Sequence, residues 1–449
     1  MRGRTRVFCV LILVVSALGV PVTASAAPAG TVTVDTAYIS GPQWFDSRGH
    51  FTGRVPADGD LSKMGFTPNQ AGSPRVTTRA EAAELARKSG STYGRPSGVF
   101  ATAPAPGRVL SDDPISPAEC REHADLATQP QGWIKNHFSY CHIGTFLAIE
   151  RRCIGVVCVP LGIFQTRVTL LGEAYNGSRA ADFRVVLDEI TVSDSAWRGR
   201  FAYRIDCAGA PSSSSCTPRT ESMERSPIEW IADPEVDLNF WSDADEPRPE
   251  HGEQLAFGVF LGTGAFTFRG RPTTESSKPE TSVRFDSAWY LTTGEGSIFD
   301  RTVPWMSYSK SDTEVDETAA HIEQAQLDPA STKPTVPDKH IPGASAQDPL
   351  TRLYHDTVRR DANRDRFAIP VCRAEWPGYP DRNQDCDEYP FSSTYQGAAR
   401  HEYENVPYGM FSARALDADD NEEAGTRLGI FMGYDRIIDG DDFYVRIVS

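Results

Sequence analysis

Phe183-Arg184-Val185-Val186-Leu187-Asp188 decides the fold class of the middle of the chain. Phe183, Val185 and Leu187 alternate with Arg184 and Asp188, the period of two that lays apolar side chains on one face of a strand. The alternation returns in Phe201, Tyr203 and Ile205 against Ala202 and Arg204, and runs of the same kind fill Leu255 to Leu261 and Val283 to Leu291. Asn176-Gly177 is a hairpin turn signal between two such runs. Short strands at this density from Trp133 to Ser309, with aromatic inward faces, predict an antiparallel sandwich or barrel over 111–312. No catalytic constellation is visible in it, and its function stays unassigned.

Toward the N-terminus the pattern changes. Met1 to Arg6 is basic, Val7 to Val20 is apolar, and Ala24-Ser25-Ala26 precedes Ala27. That order is the signature of a secretory signal over 1–26, and the apolar run is too short for a comfortable membrane span. No later stretch approaches a spanning length, so a released, extracellular protein without a membrane anchor is expected. Residues 27–110 are rich in Gly, Pro, Ser, Thr and Ala and read as a loose or pro-like segment. One short helix is predicted there, since Thr78 and Glu81 stand in capping-box spacing and Gly90 is placed to end it.

Cys9 leaves with the signal. Cys120, Cys141, Cys153, Cys158, Cys207, Cys216, Cys372 and Cys386 remain, an even set that in an exported chain implies disulfides. Neighbours are the simplest pairing: Cys120–Cys141, Cys153–Cys158, Cys207–Cys216 and Cys372–Cys386. Zinc ligation is the weaker reading, because the sequence contains neither a CxxC pair nor HExxH.

Toward the C-terminus, Asp312 to Gln326 reads as a helix with Val315, Ala319, Ile322 and Ala325 along one face. Pro329, Pro334, Pro337, Pro342 and Pro349 then space out a linker-like stretch, so 313–349 is taken as helix and linker, with a boundary near Pro349. A further helix from Leu350 is predicted to turn Leu353 and Val358 inward, with Arg352, Arg359 and Arg360 on its surface. Residues 350–449 then form a last, small domain.

A net charge of −16 with a pI near 5.1 argues against a protein that coats nucleic acid, whose affinity comes from cations neutralising phosphates. It is compatible with an enzyme that touches DNA briefly. The last domain has arginines but no lysine after residue 350, and Arg352, Arg359, Arg360, Arg364, Arg366 and Arg373 come early in it. Guanidinium forks grip phosphates bidentately, and Arg364 and Arg366 are the candidates; a salt-bridged helix face accounts for them equally well.

Two acidic clusters follow. Cys386-Asp387-Glu388 places two carboxylates directly after a stapled cysteine, the fixed placement that catalytic carboxylates need; a stapled acidic surface turn has the same sequence. Asp417-Ala418-Asp419-Asp420-Asn421-Glu422-Glu423 offers hard oxygen ligands suited to Mg, Mn or Ca. It is no EF-hand, since Glu422 stands where the glycine is needed and Leu428 where the closing glutamate belongs. An acid-rich, capped helix N-terminus is the alternative reading.

Cys386-Asp387-Glu388-Tyr389-Pro390-Phe391-Ser392-Ser393-Thr394, Asp420-Asn421 with Ala424-Gly425, and Gly440-Asp441-Asp442-Phe443-Tyr444-Val445 together resemble the NucA/NucB deoxyribonuclease family. Ala319-Ala320-His321-Ile322 also resembles a segment upstream in that family. The resemblance implies a small α+β nuclease domain with a ββα-metal-like site, using divalent Mg or Mn to cut DNA with little sequence preference. By carry-over, Asp387 would deprotonate the attacking water, Glu388 would be a ligand or orienting group, and Asn421 would be the main metal ligand, with Asp420 a weaker one. One departure is that Ile430 and Phe431 stand where the family is expected to carry polar residues. His321, His355 and His401 are the alternative bases.

The expected function is a secreted, metal-dependent endonuclease acting on extracellular DNA. The rival readings are a secreted non-enzymatic binding protein built on the β-rich domain, and an antibacterial DNase toxin whose producer carries an immunity or inhibitor protein. Oligomeric state is open.

Overall fold

The alternation at 183–188 becomes the centre of a long strand, Ser178–Val192, in which Phe183, Val185 and Leu187 are buried while Arg184 reaches solvent and pairs with Asp237 at 2.9 Å. The structure is a computed structural model describing residues 30–65, 73–75, 78–88, 114–243, 252–271 and 274–449; the expected signal over 1–26 lies outside these. Among the described residues no helix is long and apolar enough to cross a membrane.

Two antiparallel sheets make the β-rich region. One runs Thr31–Ile39, Ser139–Ile154, Val157–Tyr175, Ser178–Val192, Glu235–Trp241 and Thr217–Thr220, and Trp133–Asn136 pairs beside Ser139–Ile154. The other runs Glu295–Phe299, Thr274–Ala288, Glu253–Thr267, Arg200–Ala210 and Ser222–Arg225. They share an aromatic core in which Phe164 stacks on Phe266 at 4.6 Å and Tyr140 on Phe299 at 5.4 Å. Aromatic pairs of this kind carry large apolar area and explain the inward Phe and Tyr of the alternating runs. Asn176-Gly177 makes the predicted turn, with Gly177 at φ 106°, where a side chain would be strained. All four neighbouring cysteine pairs are at disulfide distance.

The reading of 27–110 as loose fails at its start. Thr31–Ile39 is a strand paired residue for residue with Cys153 to Thr145, and Ala37, Ile39 and Leu61 are buried against Leu147 and Ile149. A nine-residue strand rich in Thr and Val carried the signal, and the small polar residues around it masked it. The helix at Arg79–Lys88 has its capping contacts, Thr78 N to Glu81 Oε2 at 2.9 Å and Glu81 N to Thr78 Oγ1 at 3.2 Å, whereas Gly90 lies outside the described residues.

The boundary near Pro349 also moves. Trp305–Ser309 pairs in parallel with the last strand, Asp442–Val448, and Leu350–Thr351 pairs with it from the other side. The helix Asp316–Leu327 buries Val315, Ala319, Ile322 and Ala325 in one core with Ala424, Leu428, Phe431 and Phe443. The proline-rich stretch lies across that core, with Ile341 buried in it and Val445 N donating to Gly343 O at 2.8 Å. It is a packed part of the C-terminal unit. Prolines that interrupt helix and strand suit a linker, but they suit equally an extended strap like this one, half-exposed at Pro329, Pro334 and Pro349 and buried at Ile341 and Pro342. Leu350 starts a two-residue strand in place of a helix; the helix begins at Thr357, Leu353 is buried as expected, and Val358 is 73% exposed. Arg352 and Arg359 are buried, not on the surface.

The β-rich sheets and the C-terminal unit meet through buried polar groups. Arg436, with no exposure, sets Nε 3.0 Å from Asp286 Oδ1 and donates from Nη1 to Asn176 Oδ1 at 2.7 Å. Arg284 donates to Arg436 O at 2.6 Å and to Asp441 Oδ2 at 2.5 Å. His137 Nδ1 donates to Asp435 O at 2.6 Å. Charges buried this thoroughly are tolerated because each finds a partner.

Candidate functional site

The acidic pair sits on the strand Gln384–Tyr389, which forms an antiparallel hairpin with Ser412–Asp417 and places Asp387 opposite Arg414. Cys386, bonded to Cys372, ties this strand to the helix Ile369–Glu375. The second strand runs straight into the helix Ala418–Tyr434, whose cap is the Asp417 carboxylate accepting from Asp419 N at 3.0 Å and Asp420 N at 3.4 Å. Two strands and a helix thus converge, with Asp387, Glu388 and Asn421 on one side and Asp417, Asp419, Asp420 and Glu423 on another.

A cavity of about 580 Å³ opens there, and Asp387, Glu388, Asn421, Glu422, Arg364 and Ser392 contribute to its wall. Arg364 is held at its rim by the preceding residue. Asn363 is fully buried and donates to Ser392 O at 2.8 Å and Thr394 O at 3.1 Å while accepting from Ala399 N at 2.8 Å. These bonds lock the Ala362–Ala368 turn of helix to the loop that follows Glu388.

Asp387 is 6% exposed. His321, on the helix Asp316–Leu327, sets Nδ1 2.6 Å from Asp387 Oδ2 and Nε2 2.6 Å from Ser412 Oγ. An ionised carboxylate only accepts, so His321 donates to it from Nδ1, and Nε2 and the Ser412 hydroxyl share the second hydrogen bond. Asp387 Oδ1 has no hydrogen-bond partner among the described residues, which leaves it for a ligand in the cavity. Glu388 is pushed up to about 7, first by burial and then by the Asp387 charge, against the opposing hydrogen bond from Ser392 and the charge of Arg364. Two adjacent carboxylates facing one arginine form an oxygen-rich, electronegative wall.

Four residues singled out from the sequence, Asp387, Glu388, Asn421 and Arg364, share this wall, and others do not. Asp420 turns the opposite way and accepts from Glu317 N at 2.9 Å, Thr318 N at 3.0 Å and Thr318 Oγ1 at 2.6 Å. It holds the start of the His321 helix, and burial pushes its carboxyl up despite these bonds. Arg366 pairs with Glu402 at the surface. His401 bonds Ala398 O and packs on Phe367 and Tyr408, and His355 bonds Glu253. Ser412 was not anticipated, since nothing in its sequence neighbourhood marks it. Ile430 and Phe431 have a structural reason to be apolar: Phe431 is in the C-terminal core, and Ile430 packs on Phe138, Ile298 and Tyr434 where the helix meets the β-rich sheets.

Among the described residues no three His, Cys, Asp or Glu side chains gather closely enough to hold a metal ion by themselves. No curated protein and no solved structure matches the chain. Residues 346–446 match the family described as Deoxyribonuclease NucA/NucB, and the match spans the Asp387 hairpin, the Asn421 helix and the final strand. The C-terminal region of this chain is a deoxyribonuclease NucA/NucB family domain.

Proposed function

We propose that the chain is an exported endonuclease that hydrolyses phosphodiester bonds of DNA with a divalent cation, through a ββα-metal-like site in the cavity of Asp387. The observation that carries this reading is the buried His321–Asp387 pair, which fixes one carboxylate oxygen and leaves the other free beside Glu388, Asn421 and Arg364.

The donors fit a hard cation. Glu388 and Asn421 would hold it with oxygen atoms, and a cation there would offset the burial and the Asp387 charge that raise the Glu388 carboxyl. Two protein ligands suffice for Mg²⁺ or Mn²⁺, which keep several waters and take substrate phosphate oxygens as further ligands. When bound, the cation supplies charge neutralisation at the phosphate and at the departing 3′ oxygen.

Asp387 does the proton work. Its Oδ1 accepts a proton from the water that attacks phosphorus, while the His321 N–H keeps Oδ2 occupied and the carboxylate from rotating. Ser412 sets the ring's orientation from the far side. Arg364 is placed to hold a phosphate oxygen at the rim, a role that leaves base identity unread and fits weak sequence preference.

Export is supported by the signal-like N-terminus and by four cysteine pairs at disulfide distance. Incubating supercoiled plasmid with the oxidised protein in Mg²⁺, Mn²⁺ or EDTA tests the reading. Nicking with metal and none in EDTA is expected; intact plasmid under every metal overturns it and favours a binding protein.

A further inference from the structure

The turn between the strands Thr274–Ala288 and Glu295–Phe299 carries Trp289, which is 56% exposed. The turn itself is fixed, since Leu291 N donates to Ala288 O at 3.1 Å and Leu291 is buried against Ile438 of the C-terminal unit. Tyr290 stacks on Tyr354 at 3.7 Å, and the Trp289 ring meets Tyr354 edge-on at 5.8 Å. The Tyr290–Tyr354 stack already joins the two regions here, so Trp289 adds a large flat ring of which more than half faces solvent.

Guanidinium groups continue the row. Arg360 lies 5.9 Å from the Tyr354 ring and donates to Tyr354 O at 3.4 Å. Arg364, one helical turn further on, lines the Asp387 cavity. Arg359 and Arg366 of the same helical stretch pair with Glu404 and Glu402, whereas Arg360 and Arg364 have no carboxylate partner among the described residues. Carboxylates are plentiful in a chain of net charge −16, so two neighbouring guanidinium groups without one suit an anion from outside. Acids near the row are engaged or set aside. Glu253 bonds His355, Asp439 accepts from Tyr354 N at 2.6 Å, and Asp356 accepts from Arg359 N at 2.9 Å. Asp361 and Asp365 stand roughly a quarter turn round the helix from the two arginines.

We propose that this row, from Trp289 to Arg364, is a docking track for a single strand of DNA, through which the β-rich region takes part in binding the substrate. A base stacks on Trp289, and phosphates between it and the cavity bind Arg360 and Arg364. The inference rests on the nuclease reading above. Flat rings interleaved with guanidinium groups are what a sequence-tolerant single-strand site needs, because every base has a flat face and every phosphate a charge. The row runs roughly 15–20 Å, the length of about five nucleotides. A strand entering at Trp289 is thus led to Asp387, while a duplex, whose bases are paired and turned inward, would meet only the arginines.

The test is fluorescence anisotropy of a labelled 20-nucleotide single strand with the full oxidised protein, in EDTA so that nothing is cut, at several salt concentrations. Trp289→Ala is expected to weaken binding about ten- to a hundredfold with its salt dependence unchanged, and Trp289→Phe, which keeps a flat ring, to recover most of the loss. Arg360→Gln is expected to weaken binding and to lower the slope of log Kd against log salt by about 0.7. Thermal melting checks that each variant folds as the parent does, and plasmid nicking in Mg²⁺ and Mn²⁺ is run alongside. A parent that nicks plasmid but does not bind the strand, or whose variants bind it as tightly as the parent, overturns the track and leaves the nuclease. A parent that nicks nothing removes the nuclease reading and the track with it.

Discussion

His321 Nδ1 lies 2.6 Å from Asp387 Oδ2 although 66 residues separate them, and both side chains are almost wholly buried. The contact joins the helix that precedes the family-matched region to the strand at its centre. If Asp387 is the base, His321 is the residue that positions it. Asp387→Ala is expected to fold and to lose cleavage by at least about 10²-fold, the usual scale of a general base. His321→Ala should retain more, falling about 10–100-fold as supporting hydrogen bonds to site residues do. Single-turnover plasmid nicking, with circular dichroism as the folding check, distinguishes these from unfolding.

Asn421 and Asp420 are adjacent yet face different neighbours. Asn421→Ala should leave thermal stability unchanged and raise the Mg²⁺ or Mn²⁺ concentration needed for half-maximal cleavage. Asp420→Ala should do the reverse, costing about 1–3 kcal/mol by stripping the His321 helix of its cap, with metal dependence preserved. Thermal melts and metal titrations of the two variants read this out.

A fragment beginning at Leu350 should not fold, although the family match begins at 346. It lacks the strand Trp305–Ser309, the helix Asp316–Leu327 and His321, and it exposes Arg436, which the β-rich sheets otherwise bury. In the whole chain, Arg436→Ala leaves buried Asp286 with only the longer, 3.3 Å contact of Arg284 and should cost about 3–5 kcal/mol. Urea denaturation of the variant and the dispersion of the fragment's amide NMR spectrum check both.

Acid should weaken the β-rich region. His137 is held down to about 4 and His142 to about 3, burial being the largest cause in each. Both stay neutral in the fold while the unfolded chain takes up protons near 6.5. Stability from these two sites is full above 6.5 and drains as pH falls toward the folded values, at about 1.4 kcal/mol for each unit of depression. The melting temperature should drop steadily from pH 7 to 4, and His142→Phe should flatten the slope. A flat profile in the parent would contradict this.

The alternating strands, the Asn176-Gly177 turn and the buried face of the His321 helix were legible because each is written in local periodicity. The acidic pair was legible through the order of three motif blocks. Thr31–Ile39 was hidden, since its partner lies more than a hundred residues away and small polar residues surround it. The use of Asp420 as a helix cap and of Ser412 as a partner of His321 depends on how distant segments pack, which no local pattern records. The packing of the proline-rich strap through Ile341 is hidden for the same reason.

Plasmid cleavage by the full oxidised protein and by Asp387→Asn, side by side in Mg²⁺, Mn²⁺ and EDTA, tests the central claim most directly. Asparagine keeps the size of the side chain and its contact with His321 but cannot accept a proton from water. The account predicts metal-dependent nicking by the parent and none above background by the variant. Equal cleavage by both would remove Asp387 as the base, and no cleavage by the parent in any metal would remove the nuclease.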